Sequence, residues 1–246
     1  MNAHQSHKRI QPRSIPRLPQ FLLVALMAAA SISPALADTN LVLSLDGNSG
    51  YVTVPSAADL QNPSEITIEA WVYPQRGNQN NTLFINKSDN AIATSSRSYE
   101  MQWVADADSA GPGNSVRFIV FLSSGSWAVV SAPAPENTWL HIAGCFSSSQ
   151  GVLQLFTNGV IATSTTTDAG GSTPLTGTLL RQTTLPVRLG RGDVAPYYYA
   201  RGLMDEVRIW SAARTQAEIA GSMSCRLMPS GGRSRVACIL GCLGTC

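Results

Sequence analysis

Between Asn40 and Trp210 the chain is a run of short segments in which apolar and polar residues alternate, with turn residues between them. Ile66, Ile68, Ala70 and Val72 fall on one side of such a segment, and Thr67, Glu69, Trp71 and Tyr73 on the other. A repeat of two is the period of a β-strand, whose successive side chains point to opposite faces. Equivalent segments are Leu41–Asp46, Tyr51–Val54, Thr82–Lys87, Tyr99–Ala105, Val116–Leu122, Trp127–Ala132, Trp139–Phe146, Val152–Thr157, Val160–Thr166, Pro186–Leu189 and Leu203–Trp210. Asn158-Gly159, between two of them, predicts a tight hairpin, because a type I′ turn needs positive φ at both central positions. A dozen strands with no helical pattern between them predict an all-β fold, a sandwich of two antiparallel sheets.

Helical spacing occurs only at Thr215–Ile219, a turn or two that would cap the sandwich. Beyond Glu218 the chain has no acid and runs through a Gly/Ser/Arg stretch into Cys238, Cys242 and Cys246. That shift in composition places a boundary near Cys225, with a sandwich domain over 38–224 and a Cys-rich tail over 225–246. Pro229 and the Gly231-Gly232 pair oppose strand pairing, so the tail is expected to form no regular strand.

Residues 1–37 have the layout of an export signal: a basic stretch, the apolar run Phe21 to Ala30, then the small-residue site Ala35-Leu36-Ala37. Cleavage there would leave Asp38 as the new N-terminus of a secreted, extracellular chain, or a periplasmic one in a bacterium. The alternative is an uncleaved anchor, but a spanning helix needs roughly 20 apolar residues and this run has ten. Nothing later in the chain is long and apolar enough to span a bilayer.

Charge changes the picture once the leader is set aside. Lys8, Arg9, Arg13 and Arg17 belong to the leader and all 15 acids lie beyond it, so the formal +2 of the whole chain becomes −2. No basic patch remains to recommend nucleic acid or an anionic membrane as partner. Only 13% of residues are charged, a strand-and-turn composition.

Three stretches in this order resemble the LamG-like jellyroll family of the concanavalin A-like lectin/glucanase superfamily: Leu43–Pro55 followed by Ile66–Pro74, then Thr138–Gly159, then Val187–Asp193 with Ala200–Ile219. Pentraxins share this architecture at lower similarity. The resemblance implies a concanavalin A-like jellyroll sandwich, and it stops near Ile219. Family members continue there into a final strand rich in aromatics and acids. Here the Cys-rich tail stands in its place, as a disulfide-bearing extension or as an out-of-frame end.

The mature chain has one histidine, His141, which a Ser-His-Asp or Cys-His mechanism would have to use. It alternates with Leu140 and Ile142 and matches a family position that recurs for packing, so its expected role is structural. Cys145, two residues on, is expected to be a buried thiol or half of a disulfide. Laminarinase-like enzymes of the superfamily carry a Glu-x-Asp-x-x-Glu set on one strand face, which supplies nucleophile and acid. No such spacing occurs here, and alternation sends Asp205 and Glu206 to opposite faces. The expectation is therefore a binding module with no catalytic residues and no organic cofactor.

Calcium, which takes six to eight oxygens, is implied only by resemblance. The pentraxin likeness would place Asp89, Asn90 and Asp193 at a ligand-loop site. The superfamily's structural site between the first and last strands would use Asp46 and Asp205. Tyr197, Tyr198 and Tyr199 form a dense aromatic patch after Pro196, and aromatic faces stack on sugar rings or peptide side chains. Trp71, Trp139 and Trp210 are expected in the core. Five cysteines, all beyond the leader, leave one unpaired, and Asn80 and Asn86 head glycosylation sequons. The leading functional reading is a secreted module that recognises a glycan or an extracellular protein. A polysaccharide-cleaving enzyme of the same fold is the alternative, and a non-functional fragment a third.

Overall fold

The computed structural model describes residues 42–89, 96–108, 111–193, 195–225 and 236–238. The leader, Asn90 and most of the Cys-rich tail lie outside the described residues.

Each predicted segment is a strand: β1 (Leu43–Asp46), β2 (Val52–Val54), β3 (Glu65–Gln75), β4 (Asn81–Ser88), β5 (Arg97–Val104), β6 (Ser115–Phe121), β7 (Trp127–Pro133), β8 (Leu140–Ser147), β9 (Val152–Thr157), β10 (Val160–Thr165), β11 (Val187–Leu189) and β12 (Arg201–Trp210). One helix, α1 (Gln216–Ser222), and a short β13 (Val236–Cys238) follow. The strands form two antiparallel sheets. One runs β1-β12-β3-β8-β9-β10 with β13 also on β12, and the other runs β2-β11-β4-β5-β6-β7. The Asn158-Gly159 turn joins β9 to β10 with φ of 48° and 76°, as a type I′ hairpin requires.

Alternation decides what lies between the sheets. Ile66, Ile68, Ala70 and Val72 of β3 join Met101 and Trp103 of β5, Val116, Phe118 and Val120 of β6, and Leu153 and Leu155 of β9 in one buried core. Burial of each Val, Leu, Ile, Met or Phe side chain among them stabilises by about 1.5–3 kcal/mol. Close approach is visible at Gly144 of β8, where a Cβ would lie 2.3 Å from the Phe118 ring. Only glycine lets that ring reach the strand.

The opposite face of the larger sheet is covered by α1. Ile219 packs on Ala143, Cys145 and Phe156, the residues that alternate with the core set of β8 and β9. Thr215 caps the helix with a reciprocal Thr215–Glu218 capping box, a device worth about 1 kcal/mol. Arg208 satisfies carbonyls at its other end, and Arg214 reaches a carbonyl of its first turn. Arg208 donates to Ser222 O at 3.0 Å and to Cys225 O, and Arg214 donates to Glu218 O at 2.9 Å.

Two expectations need correction. The tail does contribute a strand, because Val236–Cys238 pairs antiparallel with Arg208–Trp210. It extends the edge of β12 that β1 occupies only as far as Met204. Pro229 and the two glycines precede this segment in sequence and so do not interrupt its three residues. Strict alternation also fails in β12. Asp205 pairs with Trp71 and Arg208 with Glu69, so β12 carries one extra residue there, and Glu206 adopts a φ of 49°. This β-bulge re-aims the two acids.

Candidate functional site

The tyrosine loop is built against the smaller sheet. Leu83 of β4 donates its N–H to Tyr198 O at 2.9 Å, and Gln79 Nε2 donates to Pro196 O at 2.9 Å. Tyr197 and Tyr198 take φ of 62° and 48°, which turns the chain sharply back towards β4. The Arg191 guanidinium carbon lies 4.0 Å from the Tyr51 ring centroid and 4.8 Å from that of Tyr197. Its Nη1 also donates to Tyr199 Oη at 3.4 Å, and the Tyr197 and Tyr199 rings stand 5.8 Å apart. Tyr51 is 44% exposed and Tyr197 is 37% exposed. Arg191 therefore ties two solvent-facing rings into one platform. Tyr198 is half-buried and serves chiefly through its backbone carbonyl.

Beside this platform the outer face of the smaller sheet carries two rows of polar residues. The register places Thr53, Arg188, Asn86 and Glu100 in one row across β2, β11, β4 and β5. Gln102, Arg117 and Ser131 form the next row across β5, β6 and β7. Arg188 Nη1, Asn86 Oδ1, Glu100 Oε1, Arg117 Nε and Ser131 Oγ are buried and have no hydrogen-bond partner among the described residues. Such atoms are rare in folded proteins and cost about 1–3 kcal/mol each, so their grouping on one face is informative. Burial holds the Glu100 carboxyl above its ordinary range, against opposing hydrogen bonds from Ser88 and Gln102. Asn86 Nδ2 donates to Arg191 O at 3.4 Å and links row to platform. Asn86 is buried within β4, so its sequon cannot carry a glycan in the folded chain.

The carboxylates proposed for calcium have other partners. Asp193 Oδ1 lies 2.6 Å from Arg188 Nη2, and Asp89 Oδ1 lies 3.9 Å from Arg97 Nε. Asp46 accepts the backbone N–H groups of Asn48, Ser49 and Gly50 at 2.8, 2.8 and 3.0 Å and the Ser49 hydroxyl at 2.6 Å. Those bonds, the Gly50 one foremost, hold its carboxyl well below the usual carboxylate range. The register puts Asp46 opposite Arg201, four residues along β12 from Asp205, so the strands do not bring these two acids together. Among the described residues no three His, Cys, Asp or Glu side chains converge as a metal site.

On the outer face of the larger sheet Glu69 is fully buried. Its Oε1 accepts from Trp210 Nε1 at 2.9 Å, Arg214 Nη1 at 3.3 Å and Arg208 Nη1 at 3.4 Å. His141 Nε2 lies 3.8 Å from Glu69 Oε2, and Trp71 meets the imidazole edge-on at 5.4 Å between centroids. Burial, then Arg208 and Arg214, pull the His141 pKa down to about 4, which leaves the ring neutral at pH 7. Cys145 is a free buried thiol pushed up to about 11 by burial. Asp205 and Glu206, expected on opposite faces, line one cavity with Trp71 and Trp139 because of the bulge. The tryptophan expectation also fails: Trp139 is 39% exposed, Trp71 and Trp210 are half-buried, and the core indole is Trp103. The family strands that carry Trp71 and Trp210 have an outer face as well as an inner one, and Trp139 immediately precedes β8.

A two-sheet antiparallel jellyroll is the class that this order of strands defines. The Laminin_G_3 family model, described as the concanavalin A-like lectin/glucanases superfamily, matches residues 46–220, and the chain belongs to that family. No curated protein matches the sequence. Among solved structures it is similar to a Bacteroides ovatus protein assigned to carbohydrate binding, with 18% identity and a TM-score of 0.53 over 74% of this chain and 48% of that one. The chain thus spans about half the length of that protein. It is also similar to the heptameric SAP-like pentraxin of Limulus polyphemus (13% identity, TM-score 0.53, 76% and 82% covered). The third is the ligand-binding domain of botulinum neurotoxin serotype D in complex with N-acetylneuraminic acid (11% identity, TM-score 0.52, 76% and 43% covered). At these identities the likeness is one of fold. No helix among the described residues is long and apolar enough to cross a membrane.

Proposed function

We propose that the chain is a secreted, non-catalytic glycan-binding module whose sugar-contacting surface is the Tyr51–Arg191–Tyr197–Tyr199 platform. The observation that carries this reading is the placement of two exposed rings, held by one arginine, beside a sheet face with buried polar atoms that have no partner among the described residues. A sugar ring offers an apolar C–H face for stacking and a rim of hydroxyls for hydrogen bonding, and such a surface supplies both. Support also comes from the fold neighbours, one assigned to carbohydrate binding and one holding a sugar. The superfamily's name spans lectins and glucanases, so membership alone does not separate binding from cleavage. The absence of a Glu-x-Asp-x-x-Glu strand from the sequence favours binding.

The test is a glycan panel read both for retention and for cleavage products, with wild type and Tyr197→Ala side by side. Retention lost on substitution without any cleavage supports the reading. Cleavage products would replace it with the enzyme alternative, and retention that Tyr197→Ala leaves untouched would move the site elsewhere. Mass spectrometry of the exported protein should give Asp38 as its first residue.

A further inference from the structure

Lys87 is the only lysine beyond residue 37, where every other basic residue except His141 is an arginine. It follows Ile85 on the inward side of β4, across from Tyr99 of β5, and is 1% exposed. No carboxylate among the described residues offsets that burial, which pulls its pKa down to about 8. An arginine there would stay charged, whereas a buried lysine can give up its proton and act as a base. The Lys87 Nζ donates to Leu185 O and, at 2.9 Å, to Ser56 Oγ.

Ser56 stands just beyond β2, half-buried, and lines a cavity of about 690 Å³ with Ala57, Ala58, Gln61 and Thr184. Gln61 Nε2 also donates to Ser56 Oγ, at 2.9 Å. An amide nitrogen carries two N–H donors, so one remains for an oxygen held at Ser56. Once Lys87 is neutral its contact with Ser56 can reverse. The Ser56 O–H then donates to the Nζ lone pair, while Nζ keeps its bond to Leu185 O. A serine nucleophile needs these parts: a hydroxyl on a cavity, a base in hydrogen-bond contact and an N–H donor for the oxyanion.

We propose that Ser56 is a nucleophilic serine with Lys87 as its general base, a site separate from the glycan surface that takes up an acyl group from a short carboxylic ester. Ser56 Oγ forms a bond to the ester carbonyl carbon, and Lys87 Nζ takes the hydroxyl proton. The bond from that carbon to the alcohol oxygen then breaks. The alcohol leaves with the proton, which returns Lys87 to the neutral amine. Uptake of one acyl group is stoichiometric, so the binding role of the glycan surface stands as it is.

The experiment exposes the full chain to an alkyl fluorophosphonate, in which attack at phosphorus expels fluoride and leaves a stable adduct that mass spectrometry maps. One adduct, on Ser56, is expected in the folded chain and none in urea, where the two side chains part. Lys87→Arg keeps the charge and removes the base, and should slow labelling about a hundredfold. Gln61→Ala should slow it at least about tenfold through the lost N–H donor. Circular dichroism matching the wild type verifies each fold; if Lys87→Arg fails that check, Gln61→Ala and the comparison in urea decide. p-Nitrophenyl acetate should release nitrophenol with the wild type and not with Ser56→Ala. No adduct, adducts spread over other serines, equal labelling in urea, folded variants that label like the wild type, or nitrophenol release that Ser56→Ala matches would overturn the proposal. Lost glycan retention in Ser56→Ala would overturn it too, by placing Ser56 in the glycan surface. Labelling is read without any glycan, so either reading can fail without the other.

Discussion

Arg191 stacks its guanidinium 4.0 Å from the ring centroid of Tyr51, although 140 residues separate them in the chain. Antiparallel pairing of Leu189 with Val52 brings the two together where β11 and β2 meet. A planar fork can stack on Tyr51 and Tyr197 and still donate to Tyr199, whereas an ammonium is a compact, strongly hydrated charge. Arg191→Lys is expected to weaken glycan retention about tenfold while leaving the melting temperature within a few degrees of wild type. Affinity electrophoresis of the two proteins on the best glycan of the panel checks it, and equal retardation would remove Arg191 from the site.

Calcium offers a second check, because Asp89 and Asp193 are both paired with arginines. An ion at the ligand loops would have to displace Arg97 and Arg188 from these carboxylates. Glycan retention and melting temperature are therefore expected to be the same in EDTA as in millimolar calcium. A calcium-dependent rise in melting temperature that Asp193→Ala abolishes would restore the ligand-loop site.

Gly144 gives a stability prediction with a rescue. A Cβ at this position would meet the Phe118 ring at 2.3, 2.4 and 2.7 Å. Those atoms belong to a fully buried ring with no space to retreat. Gly144→Ala should destabilise by about 1–3 kcal/mol in urea unfolding, the usual cost of overpacking. Phe118→Leu on the Gly144→Ala background should recover part of that loss, because the two sites share one contact. Additive losses would show that Phe118 is not what Gly144 accommodates.

Periodicity made the strands legible, because inward residues of β3 and β5 are apolar while most of those between them are polar or amphipathic. The Asn158-Gly159 hairpin and the capped turn at Thr215 were equally readable, since both depend on residues within a few positions. The tyrosine patch was visible as composition, but its partners were not. Tyr51 and Arg191 become neighbours only through strand pairing, and nothing in the two separate stretches that hold them points from one to the other. Asn86, Arg188, Glu100 and Arg117 look like ordinary outward-facing strand residues until the register lines them up. The reading failed at Asp205 and Glu206 because one inserted residue in β12 breaks the alternation on which it relied. No local signal marks that bulge: Glu206 adopts positive φ without being glycine, asparagine or aspartate.

The neutral histidine supplies a pH dependence whose sign is fixed by its surroundings. Burial, then Arg208 and Arg214, lower the His141 pKa to about 4 from 6.5. Between those values the unfolded chain binds a proton that the folded chain refuses, so stability rises with pH across that window. This contribution is complete above pH 6.5 and is lost as pH falls towards 4, by roughly 3 kcal/mol at about 1.4 kcal/mol per pH unit. Carboxylates titrate near the lower end of the same window, so the wild-type profile alone cannot isolate the histidine. His141→Phe keeps an aromatic ring against Trp71 and removes the titration. Urea unfolding at pH 7 and pH 4 should therefore show wild type losing roughly 3 kcal/mol more than the variant over that interval. Parallel losses would mean that His141 accepts a proton in the folded state as readily as in the unfolded chain, for instance by pairing with Glu69 Oε2, 3.8 Å away.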